Sequence, residues 1–224
     1  MGNIVAIDGG AYTGTTSLAK SLAKVFVLFN LNTGSMYRGV TAVVLDLGLD
    51  PTQAAACEAV ARTLTFAYQD GVVCSAQDTW ADKHYDLSEL IWSELVAKAV
   101  SPVSVHPNVR SILVAEQREI AVRTSADYVI EGRDIGTVVM PKAILKLFLT
   151  ATEKSRVKRA VNSGRYGSLE NNRERDKIDS ERAASPLQPA RDAVILDTTN
   201  LSQAEVLAVA AAIMDLRGFT RRIT

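Results

Sequence analysis

An α/β fold, in which a parallel sheet is covered by helices on both faces, is predicted by three features of this 224-residue sequence. Short apolar runs alternate with helical stretches along most of the chain, the order that builds strand–helix–strand units. Residues 144–149, ILKLFL, form a nearly continuous apolar run of the kind buried on both faces of a parallel sheet. The opening run at residues 4–7, IVAI, leads into a glycine-containing turn at 9–14 and then into a helix at 15–24. In such sheets, ligands bind beyond the carboxyl ends of the strands.

Strand, glycine-rich turn and helix in that order is the layout of a phosphate-binding loop, G-x-x-x-x-G-K-[ST]. Gly9 and Gly14 have the required separation, and Thr16 stands at the hydroxyl position. The lysine position is taken by Thr15. After this helix, residues 31–34 read as a strand end turning into a second helix at 35–47, which opens Ser35-Met36-Tyr37-Arg38. Gly48 and Asp50-Pro51 are loop chemistry, and Pro51 opens a third helix to about Arg62.

Between residues 64 and 87 the texture changes to short runs of β-branched and aromatic residues, with Asp70-Gly71 as a hairpin turn. This predicts a small antiparallel insert. Helices are expected at 89–99 and 108–123, with Pro102 and Pro107 as punctuation between them. A strand at 127–130 ends in Glu131-Gly132-Arg133-Asp134. Thr152 is placed to cap the next helix, which carries Arg156, Lys158 and Arg159. Residues 162–172 are polar without hydrophobic period and read as a mobile loop, followed by a charged helix at 173–182. The last strand is 193–196, and Ser202-Gln203-Ala204-Glu205 is a capping box for the last helix.

Composition narrows the function. Apolar residues make up 47% and charged residues 22%, a globular balance able to bury a core. Formal net charge is zero, which gives no global attraction to nucleic acid or anionic membrane. Any anionic ligand must be held by local basic clusters. No signal peptide or membrane span is visible, so a cytoplasmic protein is expected. Cys57 and Cys74 have neither metal-ligand nor redox spacing and read as reduced thiols. His84 and His106 have no partner motif and read as structural.

Three strand ends carry polar residues, at 8–14, 33–38 and 131–134. Their convergence is the best physical argument for one site. Arginines accompany them, and a planar guanidinium binds phosphate oxygens bidentately. A lone Arg156 or Arg175 on a helix is more simply a solvated surface charge. Arg133 differs, because it follows a buried-type strand between Gly132 and Asp134. Asp134 and Asp179 suit an amino group or ribose hydroxyls, and equally well an ion pair with Arg133 or Arg182. Asp8 is a candidate for a metal, directly or through water. Glycine turn and arginines together describe a nucleotide- or phosphate-binding protein.

The assembled motifs resemble the bacterial cytidylate kinases, a branch of the nucleoside monophosphate kinases. The resemblance runs in order through AIDGGAYTG, LNTGSMYRGV, SPVSVHPNVR, EGRDIGTVVMP, KLFLTA, ERDKIDSERAASPLQPA and DAVILDTTNLS. It implies a three-layer P-loop kinase fold with a central parallel sheet, a small β-rich monophosphate-binding insert and a shortened lid. The implied divisions are core at 1–63, 108–153 and 184–224, insert at 64–107 and lid at 154–183.

The resemblance also implies transfer of the γ-phosphate of ATP to CMP or dCMP with Mg²⁺, by a monomer without nucleic-acid or membrane partners. The loop Gly9, Gly10, Ala11, Tyr12, Thr13, Gly14, Thr15, Thr16 and Ser17 would bind ATP, with Thr16 on the metal. Ser101, Arg110 and Asp134 would read cytosine, and Arg175 and Asp179 would hold the sugar. Thr33, Tyr37, Arg38, Arg133 and Arg182 would surround the acceptor phosphate, with Arg156 and Arg159 serving the lid. Of these, Arg38, Arg133, Arg156, Arg159 and Arg182 would be catalytic. The chain departs from the pattern at Tyr12, where a small residue or glycine is usual, and at Thr15. Asn32 stands for an aspartate and Trp92 for an arginine. Thr15 sets the alternative reading, a kinase-like protein that binds CMP and transfers phosphate poorly or not at all.

Overall fold

The computed structural model describes residues 2–123, 125–163, 169–182 and 185–221. They divide into two units, Met1–Leu31 with Ile120–Thr224, and Asn32–Glu119.

The first unit is built on a parallel sheet of five strands in the order β2-β6-β1-β7-β8. These are β1 (Ile4–Gly9), β2 (Phe29–Asn32), β6 (Tyr128–Gly132), β7 (Leu145–Thr150) and β8 (Val194–Asp197). β1 is central and buried throughout, which its run of β-branched and small residues permits. The register sets Asp8 beside Gly132 and Gly9 beside Leu149, so the loop leaves the sheet between two neighbouring strand ends. Helices α1 (Thr15–Phe26) and α8 (Gln203–Leu216) contribute Leu18, Leu22, Phe26, Val206 and Met214 to a core with Val5, Ile7, Leu147 and Leu149. Phe26 meets Phe219 edge to face at 6.3 Å. The capping box at Ser202 and Glu205 forms as expected.

Two further helices of this unit frame the site, α6 (Glu153–Asn162) and α7 (Leu169–Glu181). The expected loop over 162–172 is corrected at its C-terminal end, because α7 begins at Leu169; its residues 164–168 lie outside the described residues. The helix carries no apolar stripe and is tied by charge instead, as a polar helix must be. Arg173 pairs with Glu153 and Asp176 with Arg156. Thr152 stands at the start of α6 without capping it; its hydroxyl donates to Ser155 Oγ at 3.3 Å.

The second unit holds α2 (Thr33–Asp46), α3 (Ala54–Thr63), α4 (Glu94–Ser104) and the start of α5 (Pro107–Val122). Its three-stranded antiparallel sheet is β3 (Leu64–Gln69), β4 (Val72–Asp78) and β5 (Lys83–Asp86). Asp70 and Gly71 both take left-handed φ, 51° and 76°, as a tight hairpin turn requires. A Cβ on Gly39 would come within 2.8 Å of the Phe66 ring, so this glycine allows α2 to approach β3. Pro102, read as punctuation, lies inside α4 in its last turn, where it leaves the carbonyl four residues earlier without its helical donor and the helix ends two residues later. Pro107 opens α5. Both cysteines are free thiols, and His106 Nε2 is 2.9 Å from the Pro51 carbonyl oxygen.

Candidate active site

The loop in the first unit owes its shape to close backbone packing. A Cβ on Gly9 would lie 2.7 Å from both the Leu149 carbonyl oxygen and Thr13 Oγ1, so only glycine fits. Thr13 closes the turn: its hydroxyl donates to the Gly10 carbonyl at 2.8 Å and its amide at 3.3 Å. Gly14 takes φ 106° at the N-cap of α1 and supplies no side chain to that cap. The first amides of α1 are therefore available to a ligand, where the helix dipole favours an anion. Tyr12 also takes a left-handed φ, 59°. Glycine does this without cost, whereas a residue with a Cβ loses roughly 1–2 kcal/mol.

Three arginines hold the loop by its carbonyls. Arg133 Nη1 donates to Gly9 O at 2.9 Å, and Arg156 Nε to Ala11 O at 2.7 Å. Arg159 Nη1 reaches Tyr12 O and Thr13 O, each at 3.3 Å, and its guanidinium also bonds Thr198. Asp176 of α7, which sequence reasoning missed, joins this group. Its Oδ1 accepts from the Ala11 amide at 3.0 Å and from Arg133 Nη1 at 2.9 Å, and its Oδ2 accepts from Arg156. Arg133 Nε lies 3.3 Å from Asp179, and Arg182 pairs with Asp179 at 3.3 Å and Asp134 at 3.8 Å. Arg133, Asp134, Arg156, Asp179 and Arg182 thus lie in one network. Arg175 lies on α7, its side chain outside the described residues. Ser17 is exposed on α1.

Glu131 near the end of β6 lies in the strand end singled out at 131–134, though the sequence assigned it no role of its own. It is 4% exposed, and its Oε1 accepts from the Thr16 hydroxyl at 2.8 Å. Burial pushes its carboxyl up, while the Thr16 and Thr15 hydroxyls pull it down. A polar residue ending a buried strand was the available signal. Asp8 is a backbone clamp: its two oxygens accept from the amides of Ile135 and Gly136, both at 2.7 Å. That pair starts a single π-helical turn, Ile135–Val139, for which the sequence gives no periodic signal. Burial raises the Asp8 pKa to about 6 despite those two hydrogen bonds.

The second unit gathers the other candidates on α2, α4 and α5. Asn32 caps α2, its Oδ1 accepting from the Ser35 amide at 2.9 Å, so the amide does the capping work open to an aspartate. Thr33 and Tyr37 are buried on the first turns of α2. Arg38 donates to Ile91 O at 2.9 Å and lies over the Trp92 ring at 5.4 Å. Arg110, 4% exposed, lies over the Tyr37 ring at 5.4 Å and donates to Ser104 O at 3.2 Å. Ser101 is buried one turn earlier, its carbonyl accepting from the Ser104 hydroxyl. A buried guanidinium stacked on a tyrosine is preorganised to read a planar polar partner.

Comparison with known proteins decides the family. The family model described as cytidylate kinase matches residues 5–215. The chain belongs to the cytidylate kinase family. A cytidylate kinase of Mycobacterium leprae is 42% identical over 214 residues, 92% of each chain. One from Enterococcus faecalis is 36% identical and covers 98% of this chain and 99% of its own. Among solved structures, a gluconokinase from Sinorhizobium meliloti superposes with a TM-score of 0.52 at 12% identity, covering 97% of this chain and 94% of that one. This last likeness shows the fold alone: the central sheet and loop are those of P-loop kinases. Cytidylate kinases are phosphotransferases, and family membership carries the kinase reading made from the motifs. Among the described residues, no helix is long and apolar enough to cross a membrane.

Proposed function

We propose that this chain transfers the γ-phosphate of ATP to CMP or dCMP, giving CDP or dCDP. The observation that carries the proposal is the family match over residues 5–215, on a chain whose loop leads into a helix N-terminus with no side-chain cap. An acceptor phosphate oxygen attacks the γ-phosphorus as the bond to the β-phosphate oxygen breaks. A monophosphate is already an anionic nucleophile, so the protein's task is positioning and charge neutralisation.

In this reading the loop from Gly9 to Ser17 holds the triphosphate through backbone amides. Arg133, Arg156 and Arg159 neutralise charge from the loop side. Ser101, Arg110 and Asp134 recognise cytosine, Arg175 and Asp179 the sugar. Thr33, Tyr37, Arg38 and Arg182 secure the acceptor phosphate. The stacked Arg110–Tyr37 pair and the Arg38–Trp92 pair support these roles, because each ring fixes the plane of a guanidinium.

Mg²⁺ fits the residues present. The Thr16 hydroxyl and the buried Glu131 carboxylate are hard oxygen donors 2.8 Å apart, the donor types of a P-loop metal position. They would hold the ion, which when bound supplies charge neutralisation between donor phosphates.

The alternative of a CMP-binding protein without transfer has no support in the relatives, which are named as cytidylate kinases. A coupled assay with ATP, Mg²⁺ and CMP tests the proposal. CDP and ADP should form in equal amounts, with CMP preferred over AMP. No ADP above background at saturating CMP overturns it.

A further inference from the structure

The loop lacks its lysine, yet the place where a phosphate should rest is already built and occupied. Asp176 extends from α7 onto the loop and its carboxylate touches three donors. One is the Ala11 amide at 3.0 Å, the second Arg133 Nη1 at 2.9 Å, and the third the Arg156 guanidinium. The approach is close: a Cβ on Gly10 would stand 3.0 Å from Asp176 Oδ2, so the carboxylate rests on bare backbone. The side chains of Asp176 and Arg133 are 15% and 16% exposed, a largely desolvated contact. A backbone amide of the glycine turn with two guanidiniums is the donor set for a phosphoryl group, and a carboxylate is the nearest anion a protein can put there.

We propose that Ala11 N–H, Arg133 and Arg156 form the subsite for a terminal phosphate of the donor, doing the work of the absent loop lysine, and that the Asp176 carboxylate is an internal anion which the donor displaces. The subsite rests on the reading of the loop as the ATP site.

Three points carry the assignment. The side chain at the lysine position, Thr15, is short and carries no charge, so it supplies no cation to a phosphate. Both arginines are anchored by a second bond to the loop itself, Arg133 to Gly9 O and Arg156 to Ala11 O, so they remain when the carboxylate leaves. The surrounding network balances, with Arg133, Arg156 and Arg182 facing Asp134, Asp176 and Asp179. Exchanging one carboxylate for a phosphate keeps every guanidinium paired. Displacement also removes the direct bond from α7 to the Ala11 amide and leaves the link through Asp179 and Arg133.

Sodium tripolyphosphate binding, followed by calorimetry without metal or CMP, tests the subsite independently of phosphate transfer. Asp176→Asn should tighten tripolyphosphate about tenfold, the scale of one charged hydrogen bond no longer competing. The gain should persist between about 0.15 M and about 1 M salt, as the screening length falls from about 8 Å to about 3 Å. No gain, or a gain that disappears at high salt, overturns the displacement, the second because it would reflect distant charge alone. Arg156→Ala should weaken tripolyphosphate about tenfold or more in the native loop and less than about threefold beside Thr15→Lys. Equal losses in both backgrounds overturn the substitution for lysine. A chain that passes these tests and yet makes no CDP has lost the proposed reaction but kept the subsite.

Discussion

The loop at residues 9–17 and the cluster on α2, α4 and α5 show two ways of building a binding surface. The loop is built through its main chain: carbonyls anchored by Arg133, Arg156 and Arg159, a helix start without a side-chain cap, and glycines where atoms approach closely. The second unit works through side chains, with Arg110 stacked on Tyr37 and Arg38 on Trp92. A backbone surface survives side-chain replacement as long as φ and ψ survive. A side-chain surface does not. The departures named from the sequence fall on both: Tyr12 and Thr15 lie in the loop, Asn32 and Trp92 in the second unit.

The contrast can be broken by substitution, and the largest effect belongs to the second unit. Arg110→Met keeps the volume and removes a buried, oriented cation. It should lower kcat/KM for CMP by about 10²–10³-fold and leave the KM for ATP within about threefold. Equal losses for both substrates would remove Arg110 from acceptor recognition.

Asp8 gives the next effect, read as a pH slope. Its folded-state pKa is raised from 3.8 to about 6, so the folded chain keeps a proton that the unfolded chain releases. Stability from this group is full below about pH 4, falls as pH rises toward 6, and is flat above. Asp8→Asn keeps one acceptor oxygen and so at most one of the two amide bonds at every pH, but has no such slope. The stability advantage of the wild type over the variant should therefore shrink by on the order of 3 kcal/mol between pH 4 and 7 in urea unfolding. A constant difference would mean that Asp8 is ionised throughout.

The smallest effect sharpens the comparison from the loop side. Tyr12→Gly relieves a left-handed φ of 59° and should stabilise the fold by about 1 kcal/mol, a rise of a few degrees in Tm. The KM for ATP should change little, because the binding group at this position is backbone. A large rise in that KM would show the Tyr12 ring to be part of the site.

Much of this architecture was legible from local chemistry. Asp70-Gly71 could only be a hairpin turn, Ser202 with Glu205 could only open a helix, and the apolar run through Leu145 and Leu149 belonged to a buried strand. Arg133 stood out from the sequence as more than a surface charge, and it does join the loop network, whereas Arg156, read on its own as a solvated charge, is bonded to Ala11 O and Asp176. The roles of Asp176 and Glu131 were not legible, since they depend on partners 165 and 115 residues away. The start of α7 was missed for a related reason: its stabilising contacts, Asp176 with Arg156 and Arg173 with Glu153, are charge pairs to α6 that no hydrophobic period announces. The π-helical turn at Ile135 is likewise dictated from outside, by the Asp8 carboxylate on another strand.

The two tryptophans have a practical consequence. Trp80 and Trp92 are the chain's whole complement, and both belong to the second unit. Trp80 is 86% exposed, whereas Trp92 lies against the Arg38 guanidinium, a cation close enough to alter its emission. Indole fluorescence is therefore a built-in gauge of the Arg38 neighbourhood, with Trp80 as a solvent-facing constant. The first unit is spectroscopically dark at those wavelengths. An engineered tryptophan there would give a second, separable signal, and the order in which two nucleotides arrive could be timed in one stopped-flow trace.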